Sequence, residues 1–87
     1  MEAEVIIYSS DLCGYCQRAK ALLLSKQVKF TEIKVDGRSD LRQEMMRRTG
    51  GHTVPQIIIN QQVVGGCDNL YALEQSDKLN QLLDHND

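Results

Sequence analysis

Two cysteines two residues apart, Cys13-Gly14-Tyr15-Cys16, stand between a short apolar run and a stretch of helical periodicity. That placement constrains the chain more than any other feature, because a close sulfur pair at a strand-to-helix junction has few uses. It can hold a metal, form a structural disulfide, or shuttle electrons as a reactive dithiol. A third cysteine, Cys67, makes the count odd, which argues against a framework of disulfides. In a reducing compartment a close pair is more often catalytic or metal-binding than a structural staple.

The surrounding pattern narrows the choice. Val5-Ile6-Ile7-Tyr8 is a β-branched apolar run and predicts a buried strand. From Cys13 the period changes: Cys16, Ala19 and Leu23, with Leu22 beside them, share one helical face, and Lys26-Gln27-Val28 marks the exit. Phe30, Ile33 and Val35 among polar neighbours predict a second strand over Phe30–Val35, closed by a turn at Asp36-Gly37. Asp40-Leu41-Arg42-Gln43 has capping-box spacing, and Leu41 and Met45 continue a helix to Thr49-Gly50-Gly51. After Pro55, Gln56–Ile59 and Gln62–Val64 flank a turn at Asn60-Gln61 and predict an antiparallel hairpin. Leu70, Leu73, Leu79, Leu82 and Leu83 predict a helical end interrupted near Ser76-Asp77, with a frayed tail at His85-Asn86-Asp87.

The order β-α-β-α-β-β-α predicts a parallel first pair of strands with a right-handed crossover, and a four-stranded mixed sheet flanked by helices. A Cys-x-x-Cys opening the first helix of a βαβ unit is the signature of an α/β thioredoxin-like redox fold. The 87 residues predict one domain over 1–87 with a single modest core. A formal net charge of −2 gives no reason to expect a nucleic acid or a membrane surface as partner. Val5-Ile6-Ile7 is too short for a signal peptide or a membrane span, so a cytoplasmic location is the expectation.

The chemistry follows from position. Cys13 falls where the first helix should begin, so the unpaired amides of Gly14, Tyr15 and Cys16 should face its sulfur and favour the thiolate. Cys16 lies one turn further in, on the core face. Cys13 is therefore expected to attack a disulfide sulfur and Cys16 to resolve the mixed disulfide. Thr53-Val54-Pro55 holds the only proline, at a strand's first position, where a missing N–H is harmless. A cis Val54–Pro55 bond would leave the Val54 backbone free to pair with an extended peptide, an expectation that rests on the fold. Gly65-Gly66-Cys67-Asp68-Asn69 reads either as an anion-accepting helix entry or as a plain hairpin exit with an Asp68 cap. A zinc set of Cys13, Cys16, Cys67 and His52 can be written, but no second close pair completes it.

Cys13-Gly14-Tyr15-Cys16, Thr53-Val54-Pro55-Gln56 and Gly65-Gly66-Cys67-Asp68, in this order and spacing, resemble a glutaredoxin of the small bacterial dithiol type, from about Glu4 to about Leu83. The resemblance implies a glutathione-dependent thiol–disulfide oxidoreductase acting on protein–glutathione mixed disulfides and protein disulfides. It implies that Cys13 carries the mixed disulfide and that Tyr15 flanks the glutathione groove. Thr53, Val54 and Pro55 would frame it, and Gly66, Cys67 and Asp68 would take the γ-glutamyl end at a helix start. Arg42 would stand near the glycyl carboxylate.

The departures are Ser10 and His52, where relatives often carry cations, and Asn69, where many have aspartate. Asp11 adds a negative charge near Cys13. His52 reads equally as an exposed loop residue or a carboxylate contact. The Gly-Tyr spacer resembles dithiol members that hold a [2Fe–2S] cluster between two subunits, ligated by Cys13 of each and two glutathiones. That alternative implies a cluster-bridged homodimer; without it the expectation is a monomer.

Overall fold

In a computed structural model, which describes residues 3–83, four strands form one sheet in the order β2-β1-β3-β4. The elements are β1 (Val5–Ser9), α1 (Gly14–Ser25), β2 (Thr31–Lys34), α2 (Ser39–Thr49), β3 (Gln56–Ile59), β4 (Gln62–Gly65), α3 (Cys67–Gln75) and α4 (Lys78–Leu83). β1 runs parallel to β2 and antiparallel to β3, and β3 pairs antiparallel with β4. This is the mixed sheet that the alternation of apolar runs predicted. The tail at His85-Asn86-Asp87 lies outside the described residues.

Alternate side chains of the central strands go to opposite faces. Val5 and Ile7 of β1, with Ile57 and Ile59 of β3, pack against Ala19, Leu22 and Leu23 of α1, Leu70 of α3 and Leu79 of α4. On the other face Tyr8 and Ile58 meet Met45 of α2 and Val35. β1 and β3 are thus covered on both sides, which is why they read as unbroken apolar runs. The exposed Val63 belongs to edge strand β4, where one face needs no cover.

Three local expectations change. The second strand is shorter than Phe30–Val35, and its flanking residues divide between the faces. Phe30 packs with the α1 side, while Ile33 and Val35 pack with the α2 side. Phe30 and Ile33 are an odd number of positions apart, so a period of two cannot put both on one face. The capping box at Asp40 is not formed. α2 starts at Ser39 after Arg38, without a side-chain cap, and Asp40 lies in the first turn. Its carboxylate instead accepts from Arg38 Nε and Nη2, at 3.1 and 2.9 Å. Nor does Asp68 cap α3; the cap is Gly66, and Asp68 lies in the first turn.

The hairpin turn keeps both Asn60 and Gln61 at positive φ, 52° and 66°, the pairing that matches strand twist. The Asn60 side chain also joins chain ends, accepting from the Glu4 amide at 2.9 Å and donating to the Leu82 carbonyl at 2.9 Å. At the break between Ser76 and Asp77, Asp77 takes φ 64° and separates α3 from α4.

A polar knot joins β1, β2 and α1. Glu32 Oε2 accepts from the buried Ser9 hydroxyl at 2.6 Å and from Lys20 Nζ at 2.8 Å. The Lys20 bond, then Ser9, hold the Glu32 carboxyl below its ordinary value of 4.5. A depressed acid contributes its stability in full above the unfolded value and loses it as pH falls through the lower folded one. Glu32→Gln should therefore lower stability by about 1 kcal/mol at pH 7. In urea midpoints taken from pH 7 down to pH 3, the gap between variant and wild type should close below pH 4.5; a constant gap would refute the account.

Candidate functional site: a disulfide beside a groove

The chain leaves β1 at Ser9 and turns before α1, and Cys13 occupies the helix cap with extended backbone, φ −135° and ψ 104°. Its Sγ accepts the Cys16 amide at 3.1 Å, so the sulfur satisfies a helix-start donor that would otherwise be orphaned. Negative charge on that sulfur is favoured by the same bond and by the helix dipole. Cys16 is fully buried on the core face of α1 and is disulfide-bonded to Cys13, which is partly exposed.

Beside this disulfide lies a groove of about 340 Å³ lined by Tyr15, Thr53, Val54, Pro55, Gln56, Gly66, Cys67, Asp68 and Asn69. The Val54–Pro55 bond is cis, and the Val54 carbonyl oxygen lies 3.8 Å from Cys13 Sγ. Three separate stretches of sequence therefore meet: the start of α1, the loop before β3, and the start of α3. Two clamps hold the helices in that relation. Arg18 of α1 stacks on Tyr71 of α3 at 5.5 Å, and the Tyr71 hydroxyl donates to the Arg18 carbonyl at 3.2 Å. A larger recess of about 430 Å³ lies at the opposite end of α1, lined by Lys26, Val28, Asn80, Gln81 and Leu83, and contains no cysteine.

Of the residues expected at the site, Tyr15, Thr53, Val54, Pro55, Gly66, Cys67 and Asp68 are brought together. Arg42 is not; it is exposed on α2 and takes no part in the groove lining. His52 is exposed and also outside the lining. Asp11 does not leave a bare negative charge near Cys13, because its carboxylate pairs with Lys34 Nζ at 2.7 Å. That bond holds the Asp11 carboxyl below its usual range.

Gln56 is a member of the lining that residue patterns did not assign. Its amide donates to the Thr53 carbonyl at 3.0 Å and braces the loop. A Cβ at Gly51 would run into that same amide, so the glycine keeps the passage open. The signal was present: a polar residue opens an otherwise apolar buried strand. Gly65, at φ +110°, turns the hairpin into α3, and a Cβ there would come within 2.8 Å of the Asn69 amide nitrogen.

Cys67 lines the groove but is buried, and burial first, then Asp68, push its thiol up, against an opposing pull from Arg18. Among the described residues no group of three or more His, Cys, Asp or Glu could hold a metal. Of the three cysteines only Cys13 is presented, Cys16 and Cys67 being buried, so one chain alone could not supply the four sulfurs of a cluster. Gly14 is not imposed by packing, since a Cβ there would meet nothing within 4 Å.

A strand–helix junction bearing a bonded Cys-x-x-Cys, on a four-stranded mixed sheet of this order, defines a thioredoxin-fold thiol–disulfide oxidoreductase. The glutaredoxin family model matches residues 5–64. Glutaredoxin 3 of Escherichia coli strain K12 is 53% identical over 81 residues, covering 93% of this chain and 98% of that protein. The solution structure of glutaredoxin from Brucella melitensis superposes with a TM-score of 0.82 at 51% identity, covering 94% of this chain and 89% of the other. A crystal structure of a buckwheat glutaredoxin–glutathione complex superposes at 0.84, with 30% identity and coverages of 92% and 76%. The chain belongs to the glutaredoxin family.

The contrast between the sulfurs is testable in the reduced chain. Iodoacetamide should modify Cys13 at neutral pH at least about tenfold faster than Cys67, whose thiol is buried and held neutral. Peptide mass mapping over a time course reads the order of labelling; labelling of Cys67 first would refute it.

Proposed function

We propose that this chain reduces protein–glutathione mixed disulfides and protein disulfides as a glutathione-dependent oxidoreductase, with Cys13 as nucleophile and Cys16 as resolving thiol. The observation that carries this reading is the contact of Cys13 Sγ with the Val54 carbonyl, 3.8 Å away, at the mouth of a groove that ends on the α3 amino terminus. A similar buckwheat protein, solved as a glutathione complex, supports a glutathione-sized occupant.

In the first step the Cys13 thiolate attacks the glutathione sulfur of a mixed disulfide. A Cys13–glutathione bond forms and the protein leaves as thiolate. A second glutathione thiolate then attacks the bound glutathione sulfur, releasing glutathione disulfide and restoring the Cys13 thiolate. With a protein disulfide, Cys13 instead forms a mixed disulfide with the substrate. Cys16 attacks the Cys13 sulfur, the substrate thiol is released, and the Cys13–Cys16 disulfide remains. Two glutathiones reduce it again.

The groove residues divide the ligand. Val54 offers extended backbone to the glutathione cysteine, as a sheet edge does. The free amides at the start of α3, around Cys67, suit a carboxylate, and the Asp68 side chain suits the ligand's amine. Tyr15, Thr53 and Pro55 form its walls. Arg42 stays a candidate only for a ligand that reaches beyond the groove. A monomer acting in the reducing cytoplasm fits this chemistry, with residues 1–87 as one domain. No helix among the described residues is long and apolar enough to cross a membrane. Nothing in the site favours the [2Fe–2S] reading over this one.

Two sets of variants test the proposal. Cys13→Ser should abolish turnover of a glutathionylated peptide, whereas Cys16→Ser should retain it and lose reduction of protein disulfides. Equal loss in both on the glutathionylated peptide would sink the assignment. Gly66→Val adds a Cβ that would lie 3.5 Å from the Pro55 carbonyl oxygen, an ordinary contact. It should raise KM for the glutathionylated peptide about tenfold with an unchanged melting midpoint, and Asp68→Ala should raise it about threefold. Wild-type kinetics in both would place the ligand elsewhere.

A further inference from the structure

Leu12 contributes nothing to the packing of the fold. Its relative exposure is 101%, against 63% for Leu24, 48% for Val63 and 42% for Met46, each of which keeps part of its surface against a neighbour. Single exposed leucines are ordinary on protein surfaces. This one is bonded directly to the residue that carries the outer sulfur of the disulfide, and the chain around it is tied down.

On one side the Asp11 amide donates to Asp36 Oδ2 at 3.0 Å, and the Asp11 carboxylate pairs with Lys34 at 2.7 Å. On the other, Cys13 is fixed as the cap of α1 by the 3.1 Å bond to its sulfur. Because the residues on both sides are tied down, docking of this apolar side chain has to order the side chain itself but little backbone. The Asp11 carboxylate at this rim is paired with Lys34 and so is not left bare beside an apolar partner.

Leu12 takes no part in the groove lining. A polypeptide joined to the Cys13 sulfur is longer than the groove, and the side chain next to Cys13 outside that groove is Leu12. We propose that Leu12 is a specificity-determining contact. It selects polypeptide substrates in which an extended segment places an apolar residue beside the disulfide-bonded cysteine. The inference rests on Cys13 as the attacking sulfur and not on glutathione.

The test uses two synthetic peptides, identical except for Leu or Ser beside their single cysteine, each as a mixed disulfide with 5-thio-2-nitrobenzoate. Attack by the Cys13 thiolate on the peptide sulfur forms the enzyme–peptide disulfide and expels thionitrobenzoate, the lower-pKa leaving group, which is read by absorbance. In single turnover of the fully reduced chain, the Leu peptide should react about tenfold faster than the Ser peptide at sub-saturating concentration, equivalent to about 1.4 kcal/mol. Leu12→Ser should bring that ratio to about one by slowing only the Leu peptide, with an unchanged melting midpoint.

A wild-type ratio of one, or a ratio that survives Leu12→Ser, would overturn the proposal. Release that persists in Cys13→Ser would overturn the attacking assignment and the proposal with it, while leaving glutathione binding to be judged by KM. Sedimentation of the reduced wild type and Leu12→Ser provides the last check: a dimer lost in the variant would assign the patch to a second copy of this chain and overturn the substrate contact.

Discussion

The site depends on one bond, from the Cys16 amide to the Cys13 sulfur. At a helix start the first amides have no partners within the helix, and some acceptor must meet them. Serine, threonine, aspartate and asparagine commonly do so; here a sulfur occupies that place. The group that satisfies the helix is therefore the group presented for attack. The need to finish α1 and the need to stabilise charge on the sulfur are met by the same geometry.

That geometry holds only because the strand feeding it is anchored. β1 is the second strand of the sheet, flanked by β2 and β3, and its Ile7 and Tyr8 are fully buried on opposite faces. At and just past its end the polar ties take over: Ser9 with Glu32, the Val35 amide with the Ser9 carbonyl, and Asp11 with Lys34 and Asp36. On the α2 face the Tyr8 hydroxyl donates to Glu44 at 2.5 Å and accepts from Arg48 at 2.9 Å. Desolvation, then the Glu44 bond, raise the Tyr8 hydroxyl above its ordinary value, so it stays a neutral donor at physiological pH. These bonds pin the two outer layers to the strand that delivers the sulfur.

Much of this was legible in the residues because it rests on local rules. The buried runs, the change from strand to helical period at Cys13, the hairpin turn and the helix break at Ser76-Asp77 each have a near-neighbour cause. What could not be read depends on partners distant in sequence. Asp11 looked like an unfavourable charge until Lys34, across the sheet edge, came within 2.7 Å. Gln56 looked like a strand-opening residue until its amide met Thr53 and the bare backbone of Gly51. Arg42 followed from resemblance alone, and the groove is built without it. The capping box failed for a different reason: the spacing fits, but Arg38 offers the Asp40 carboxylate a two-donor partner.

Cys67 shows what separates a presented sulfur from a stored one. Both Cys13 and Cys67 stand at the start of a helix, and both border the same region. A helix dipole acting alone would treat them alike. Cys13, however, is the cap itself, with extended backbone that leaves its side chain beside the free amides. Cys67 is already the first helical residue, one position later relative to its cap at Gly66, and its side chain joins the core with Ala19 and Leu70. Burial there raises the cost of a thiolate by more than the nearby Arg18 lowers it. A shift of one position across a helix boundary thus decides whether a cysteine faces the substrate or the core, because the cap residue turns outward where the next one turns in.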